Sequence, residues 1–264
     1  MVELSKKKQN AYYNENNKFA AEWLRNLIKE GLIAYGEVDE RSIVEVRPGD
    51  LRGYVQCHFF AGIGGWSRAL RLAGVPDDFP VWTGSCPCQP FSSAGKQQGF
   101  ADERHLWPVW ERLIRECRPE RILGEQVAAA VGKDWLDLVC GGLEAEGYAC
   151  GAAVLGAHSV GAPHIRQRLY WVADSQGGGC LRERGDREAA GGISVPCTGG
   201  PAGGFWGDCE WLVFADGKTR AVEPGTFPLA YGVPKRVGQL RAYGNAIVPQ
   251  TAAAFVKAYL ESVQ

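Results

Sequence analysis

Five short stretches of this chain hold the residues best able to do chemistry. In GSCPCQPFSSAG, Cys88 is held between Pro87 and Gln89 just past an apolar run. Helix dipoles and backbone donors can lower a thiol pKa at such a place and make it a nucleophile. A buried structural cysteine in a proline-stiffened loop fits the same residues, and it suits Cys86, still on the strand side, better. In RILGEQV, Glu125 follows an apolar strand end, so its carboxylate would point into the same crevice as Cys88; a solvated loop glutamate is the plainer alternative. In GAPHIRQRLYWVA, Arg166 and Arg168 alternate on one strand face, a spacing that suits phosphate or carbonyl oxygens as well as a merely exposed face. FFAGIGGW sets glycines between a strand and a helix, where backbone N–H groups can approach an anionic ligand or only close a tight turn. YGNAIVP is a Gly-Asn turn before a proline and a helix, and most such turns are structural.

The elements that must position these residues follow from periodicity. AYYNE (Ala11–Glu15) reads as a short strand. NNKFAAEWLRNLIKEG places Phe19, Trp23, Leu24, Leu27 and Ile28 on one helical face, with an Asn start and a Gly31 stop. YVQCHFF is a buried strand, GWSRALRLAG a helix closed by Gly74, FPVWTGSC a third strand and WPVWERLIREC a third helix. RPERILGEQV is strand then loop, KDWLDLVCGGLEAEGY another amphipathic helix, and ACGAAVLGA and RQRLYWVAD are late strands. Alternation of this kind predicts a parallel, doubly wound α/β sheet. Beyond Asp174 the chain turns Gly-rich, with Arg182, Arg184 and Arg187. EWLVFADGKTRAVEPG then reads as a hairpin turning at Asp216-Gly217, and a final helix closes the chain. The organisation expected is a catalytic and cofactor-binding core over 1–173, a small recognition region over 174–226, and a return to the core over 227–264.

Bulk properties narrow the classes. A chain of 264 residues suits one α/β domain with a modest insertion. Its formal net charge of −1 argues against coating nucleic acid through bulk charge, while leaving room for a local basic face. The start MVELSKKKQN lacks the apolar core of a signal peptide, and no apolar run approaches a membrane span, so a cytoplasmic protein with no membrane partner is expected. The nine cysteines follow no repeated CxxC or His/Cys pattern. They predict reduced thiols packed as small hydrophobes, with no metal site.

Taken in order, these stretches resemble the DNA (cytosine-5) methyltransferase family. FFAGIGG resembles its cofactor loop, PCQPFS its nucleophile loop, GEQV its Glu-Asn-Val segment, HIRQRLYWVA its Gln-x-Arg-x-Arg strand and GNAIVP its last cofactor motif. The resemblance implies a Rossmann-like methyltransferase sheet, S-adenosyl-L-methionine as cofactor, double-stranded DNA as partner, and a monomer. It makes Cys88 the nucleophile, Glu125 the group at cytosine N3, and Arg166 and Arg168 neighbours of the base and its phosphates. Phe60, Gly62, Ile63, Gly64, Pro87, Leu106, Asn245 and Ala246 fall at cofactor positions. Gln89, Ser92 and Arg104 fall at DNA positions, to which Arg182, Arg184 and Arg187 are added from the small region. Three residues depart from the pattern: Gln126 replaces the usual Asn, His164 the usual Gln, and His58 an acidic residue. None of them is a reacting group.

The family normally sets two strands between the glycine loop and the cysteine loop, and this chain has room there for barely one. The N-terminal YYNENNKFAAEWL resembles the family's second strand, acidic residue and helix, and VDERSIVEV could supply the end of its third strand. The resemblance therefore implies a circularly permuted, phage- or prophage-like member. Glu15 becomes the ribose ligand beside Asn16, with Ser42 and Ile43 at the adenine and Asp39 as a further candidate. Such an order also threatens a rare left-handed crossover between the strands flanking GWSRALRLAG.

Overall fold

The computed structural model describes residues 11–87, 106–129, 135–162, 164–175 and 245–263, and the strand positions 210–213 and 219–222. Seven strands form one sheet in the order β2-β1-β3-β4-β5-β7-β6, and β8 (Glu210–Val213) pairs with β9 (Thr219–Val222) as a separate antiparallel hairpin. β1 (Ala11–Asn14) lies between β2 (Gly36–Asp39) and β3 (Gln56–Phe59), all parallel. β4 (Val81–Gly84) and β5 (Arg121–Val127) continue that direction. β7 (Gln167–Asp174) runs antiparallel to both β5 and β6 (Ala149–Gly156), so the sheet is mixed rather than wholly parallel. The ten residues between β6 and β7 are too few for the dozen or so that a parallel crossover needs.

Helix boundaries follow local chemistry. α1 (Lys18–Lys29) begins where the Asn17 side chain accepts from the N–H groups of Phe19 and Ala20, and it ends before Gly31, whose φ of 68° is left-handed. α2 (Gly65–Leu72) stops before Gly74 in the same way. α3 (Trp107–Cys117), α4 (Trp135–Ala145) and α5 (Pro249–Ser262) complete the layers. No helix among the described residues is long and apolar enough to cross a membrane.

The two faces of the sheet are packed differently. On one, α3 and α4 cover an aromatic core in which Trp107, Trp110, Trp135 and Trp171 are fully buried and meet largely edge to face. Trp171 lies so close to β5 that a Cβ on Gly124 would overlap its indole. On the other face, α1 packs against Ala11 and Tyr13, while α2 and α5 pack against Val81, Leu123 and Tyr170.

This arrangement fixes the hand of each crossover. From β1 to β2 the chain steps one way across the sheet with α1 on the Tyr13 face. From β3 to β4 it steps the opposite way with α2 on that same face, where Ser67 Oγ meets the Tyr13 hydroxyl at 3.1 Å. Opposite steps over one face have opposite hands. β4–α3–β5 and the β2–β3 connection, whose helical turns Ile43–Glu45 and Pro48–Leu51 pack on the tryptophan face, share the hand of β1–α1–β2. Since parallel crossovers are right-handed in about 98% of cases, β3–α2–β4 is the left-handed one. Its return loop is pinned by the two-point pairing of Arg71 with Asp77 (2.9 and 2.7 Å) and by Gln56 Nε2 donating to the Pro76 carbonyl.

A polar thread runs through the apolar layer on that face. His58 is buried, stacks on Tyr13, and bonds Thr83 Oγ1 (2.8 Å) and Gln56 Oε1 (3.3 Å). Burial pushes its pKa down from 6.5 to about 3, so it is neutral in the folded protein. The unfolded chain takes up that proton first. Stability is therefore complete above about pH 6.5 and declines toward pH 3 by about 1.4 kcal/mol per pH unit from this group. Urea unfolding of the wild type and of His58→Gln should show a shallower acid loss in the variant, and equal losses would show that His58 charges without unfolding.

Candidate active site

The parallel strands end along one edge of the sheet, and β7, being reversed, begins there. Glu125 is the centre of that edge. It lies inside β5 rather than past its end, opposite Tyr170 of β7, and it is 8% exposed. Arg168 Nε approaches Glu125 Oε1 at 3.0 Å, and Ser85 sits beside Glu125, since the preceding Gly84 and Gly124 are register partners. Burial raises the Glu125 pKa, while Arg168, Ser85 and Arg166 pull it down.

Arg166 and Arg168 do not alternate along a strand. Arg168 belongs to β7, whereas Arg166 precedes it with φ 26°, a left-handed conformation that costs an L-residue energy. That turn directs its Nη2 to the Ala246 carbonyl at 2.6 Å, and burial lowers its pKa. Both guanidinium groups still act on Glu125. Next to them, His164 and Ile165 are exposed.

Gln126, the neighbour of Glu125, is buried and ties two elements together. Its Nε2 donates to the Cys86 carbonyl at 3.0 Å, and its Oε1 accepts from Val127 N at 2.9 Å. The longer amide thus braces the cysteine loop. Cys86 is 4% exposed within the aromatic core, whereas Pro87 is exposed, so the chain leaves the core between them. Cys88, Gln89, Ser92 and Arg104 lie outside the described residues, as do Arg182, Arg184 and Arg187.

At the other end of the edge, three residues of the glycine loop take left-handed φ values: Phe60 (50°), Gly62 (56°) and Gly64 (81°). Glu15, just past β1, holds this loop. Its Oε2 accepts from Gly62 N at 2.8 Å and its Oε1 from Asn17 N at 2.9 Å. A carboxylate offers about four acceptor positions, so acceptor capacity remains on the half-buried side chain. Ile63 is half-buried and Asn16 exposed beside it. Asn245 is exposed, Ala246 half-buried, and Ile247 packs so near α2 that a Cβ on Gly65 would strike it. Leu106 borders the aromatic core as the residue before α3.

VDERSIVEV does supply a strand end, in its first two residues only. β2 stops at Asp39, and Ser42 instead caps a helical turn, accepting from Val44 N while Glu45 accepts from Ser42 N. Ile43 is 3% exposed and serves the core, leaving the exposed Val44 as the apolar side chain on that turn. Asp39 is occupied as well: it accepts from the Tyr12 hydroxyl (2.7 Å) and from the Arg41 guanidinium, which holds its carboxyl below the usual range although burial opposes this. Asp39 is thus a structural anion.

Residues 67–179 match the family model described as C-5 cytosine-specific DNA methylase. This segment, less than half of the chain, is similar to the C-5 cytosine-specific DNA methylases. It contains Cys88, Glu125, Arg166 and Arg168, and it begins within α2, after β1, β2, β3 and the glycine loop. Similar curated proteins include Type II methyltransferase M.BanI of Aneurinibacillus aneurinilyticus, 39% identical over 97 residues that cover 35% of this chain and 23% of the relative. Type II methyltransferase M.NlaX of Neisseria lactamica is 36% identical over 105 residues, covering 38% of this chain and 33% of the relative. The chain thus spans a third or less of the length of these two relatives. A crystal structure of Spodoptera frugiperda DNMT2 aligns with a TM-score of 0.44 at 18% identity, over 67% of this chain and 45% of that one. Two residues at this edge carried little signal in the sequence, Ser85 and Trp66, whose indole Nε1 donates to Ser85 Oγ at 3.2 Å. The only signal for Ser85 was a polar residue directly after the strand-ending Gly84.

Proposed function

We propose that this protein is a DNA cytosine-5 methyltransferase that acts on a cytosine flipped out of double-stranded DNA. The observation that carries the reading is the buried Glu125, held by Arg168 and Ser85 and adjoining, through Gln126, the loop that leads to Cys88. C5 of cytosine is a poor nucleophile. Addition of the Cys88 thiolate to C6, with Glu125 protonating or hydrogen-bonding N3, turns C5 into an enamine carbon. Once C5 carries the methyl group, transfer of its proton to a base such as water re-forms the C5–C6 double bond and expels the Cys88 thiolate. Arg168 and Arg166 supply cationic donors toward the base and its phosphates. The target must leave the stack for any of this to occur.

S-adenosyl-L-methionine fits the glycine-loop end of the edge and supplies an electrophilic methyl group when bound. Gly62, Ile63 and Gly64 would accommodate it along the loop, Phe60, Asn245 and Ala246 would border it, and Glu15 would accept from its ribose hydroxyls. Glu15→Ala should weaken binding of this ligand by about 1.5–3 kcal/mol, the range for hydrogen bonds to charged groups. Wild-type affinity by calorimetry in a folded variant would move the ribose elsewhere.

In the same reading the chain is a circular permutation, its first two strands being those that relatives place after the glycine loop. The strand order, the family match beginning only at residue 67, and the left-handed β3–α2–β4 unit support it. Residues 174–226 would then read the target site. Tritium transfer from labelled S-adenosyl-L-methionine to duplex DNA, with an RNA control, tests the function. Label on RNA alone, or on neither, would overturn it.

A further inference from the structure

We propose that Ser85 is a positioning residue for Glu125, its hydroxyl aimed by the Trp66 indole so that its one proton meets the carboxylate. The inference rests on the role given to Glu125 above. An indole N–H can only donate, so Ser85 Oγ must be the acceptor in its 3.2 Å contact with Trp66 Nε1. Gly84 and Gly124 are register partners, so Ser85 and Glu125 follow side by side on neighbouring strands, and the hydroxyl proton is left for the carboxylate. Trp66 cannot easily turn away: it is 4% exposed, and its ring meets Tyr170 edge-on at 6.2 Å.

The arrangement links α2, β4, β5 and β7 at the edge of the sheet. Ser85 directly follows β4 beside Glu125 of β5, which pairs with Arg168 of β7. Among the described residues, the ionisable groups around Glu125 are Arg166, Arg168 and Tyr170, whereas Trp66 and Ser85 contribute neutral dipoles. Burial favours the protonated acid, which would hold its proton too tightly to pass it to a base. A donor locked onto the carboxylate favours the ionised form and offsets that tendency without adding another charge.

The test reads Glu125 directly. Its carboxyl titration is followed by difference infrared spectroscopy, with Glu125→Gln identifying the signal. Ser85→Ala should raise the midpoint by about one pH unit, a tenfold gain in proton affinity. Trp66→Phe should raise it by less, and Ser85→Thr, which keeps the hydroxyl, should restore the wild-type value. The limb of the single-turnover methylation profile that reports Glu125 should move with the midpoint. An unmoved midpoint in folded Ser85→Ala overturns the proposal; if that variant does not fold, an unmoved midpoint in Trp66→Phe does so. A shifted midpoint in a protein that methylates nothing would instead refute the methyltransferase reading and leave the positioning role standing.

Discussion

Cys88→Ala should abolish covalent trapping on duplex DNA containing 5-fluorocytosine, whereas Cys86→Ala should trap as the wild type does. Fluorine at C5 cannot leave as a proton does, so an enzyme that adds its thiol to C6 stays attached. The structure buries the first of the two cysteines. Cys86 is sunk in the aromatic core with its carbonyl held by Gln126, and a thiol desolvated among tryptophans is a poor nucleophile. The exposed Pro87 carries the chain out of that core immediately before Cys88. Denaturing electrophoresis reads the adduct as a shifted band. A band that survives Cys88→Ala would assign the chemistry to another residue.

Glu125→Gln should slow single-turnover methylation by about a hundredfold or more, while leaving DNA affinity within a few-fold. The amide keeps the shape of the side chain and can still accept from Arg168, but it cannot exchange a proton with N3. The loss therefore falls on the step in which the base is activated rather than on holding the duplex. An unchanged single-turnover rate would reduce Glu125 to the internal counter-ion of Arg168.

What the sequence disclosed is mostly what is decided locally. Asn17, Gly31 and Gly74 mark helix ends through their own side chains or their own φ, so the ends of α1 and α2 could be read directly. Glu125 could be recognised as important but not placed. A Glu-Gln pair after an apolar run looks like a loop, and it stays in the strand because Arg168, more than forty positions later, offsets its burial. The reversal of β7 was readable in principle from the short connection before it. The turn at Ser42 was not, since its capping bonds compete on nearly equal terms with strand extension. Nor could the approach of Trp66 to Ser85 be inferred from a separation of nineteen positions, because it depends on which face of the sheet α2 occupies.

The left-handed path from β3 to β4 has a consequence for the order of assembly. An isolated strand–helix–strand unit closes right-handedly, so β3, α2 and β4 do not specify their own arrangement. The hydroxyl of Tyr13 and the backbone N–H of Ala34 both bond Ser67, and these groups hold α2 on the face it takes. Tyr13 and Ala34 are synthesised more than thirty residues ahead of Ser67. As the chain emerges from the ribosome, the template that dictates the unusual winding is already made before the helix that must obey it.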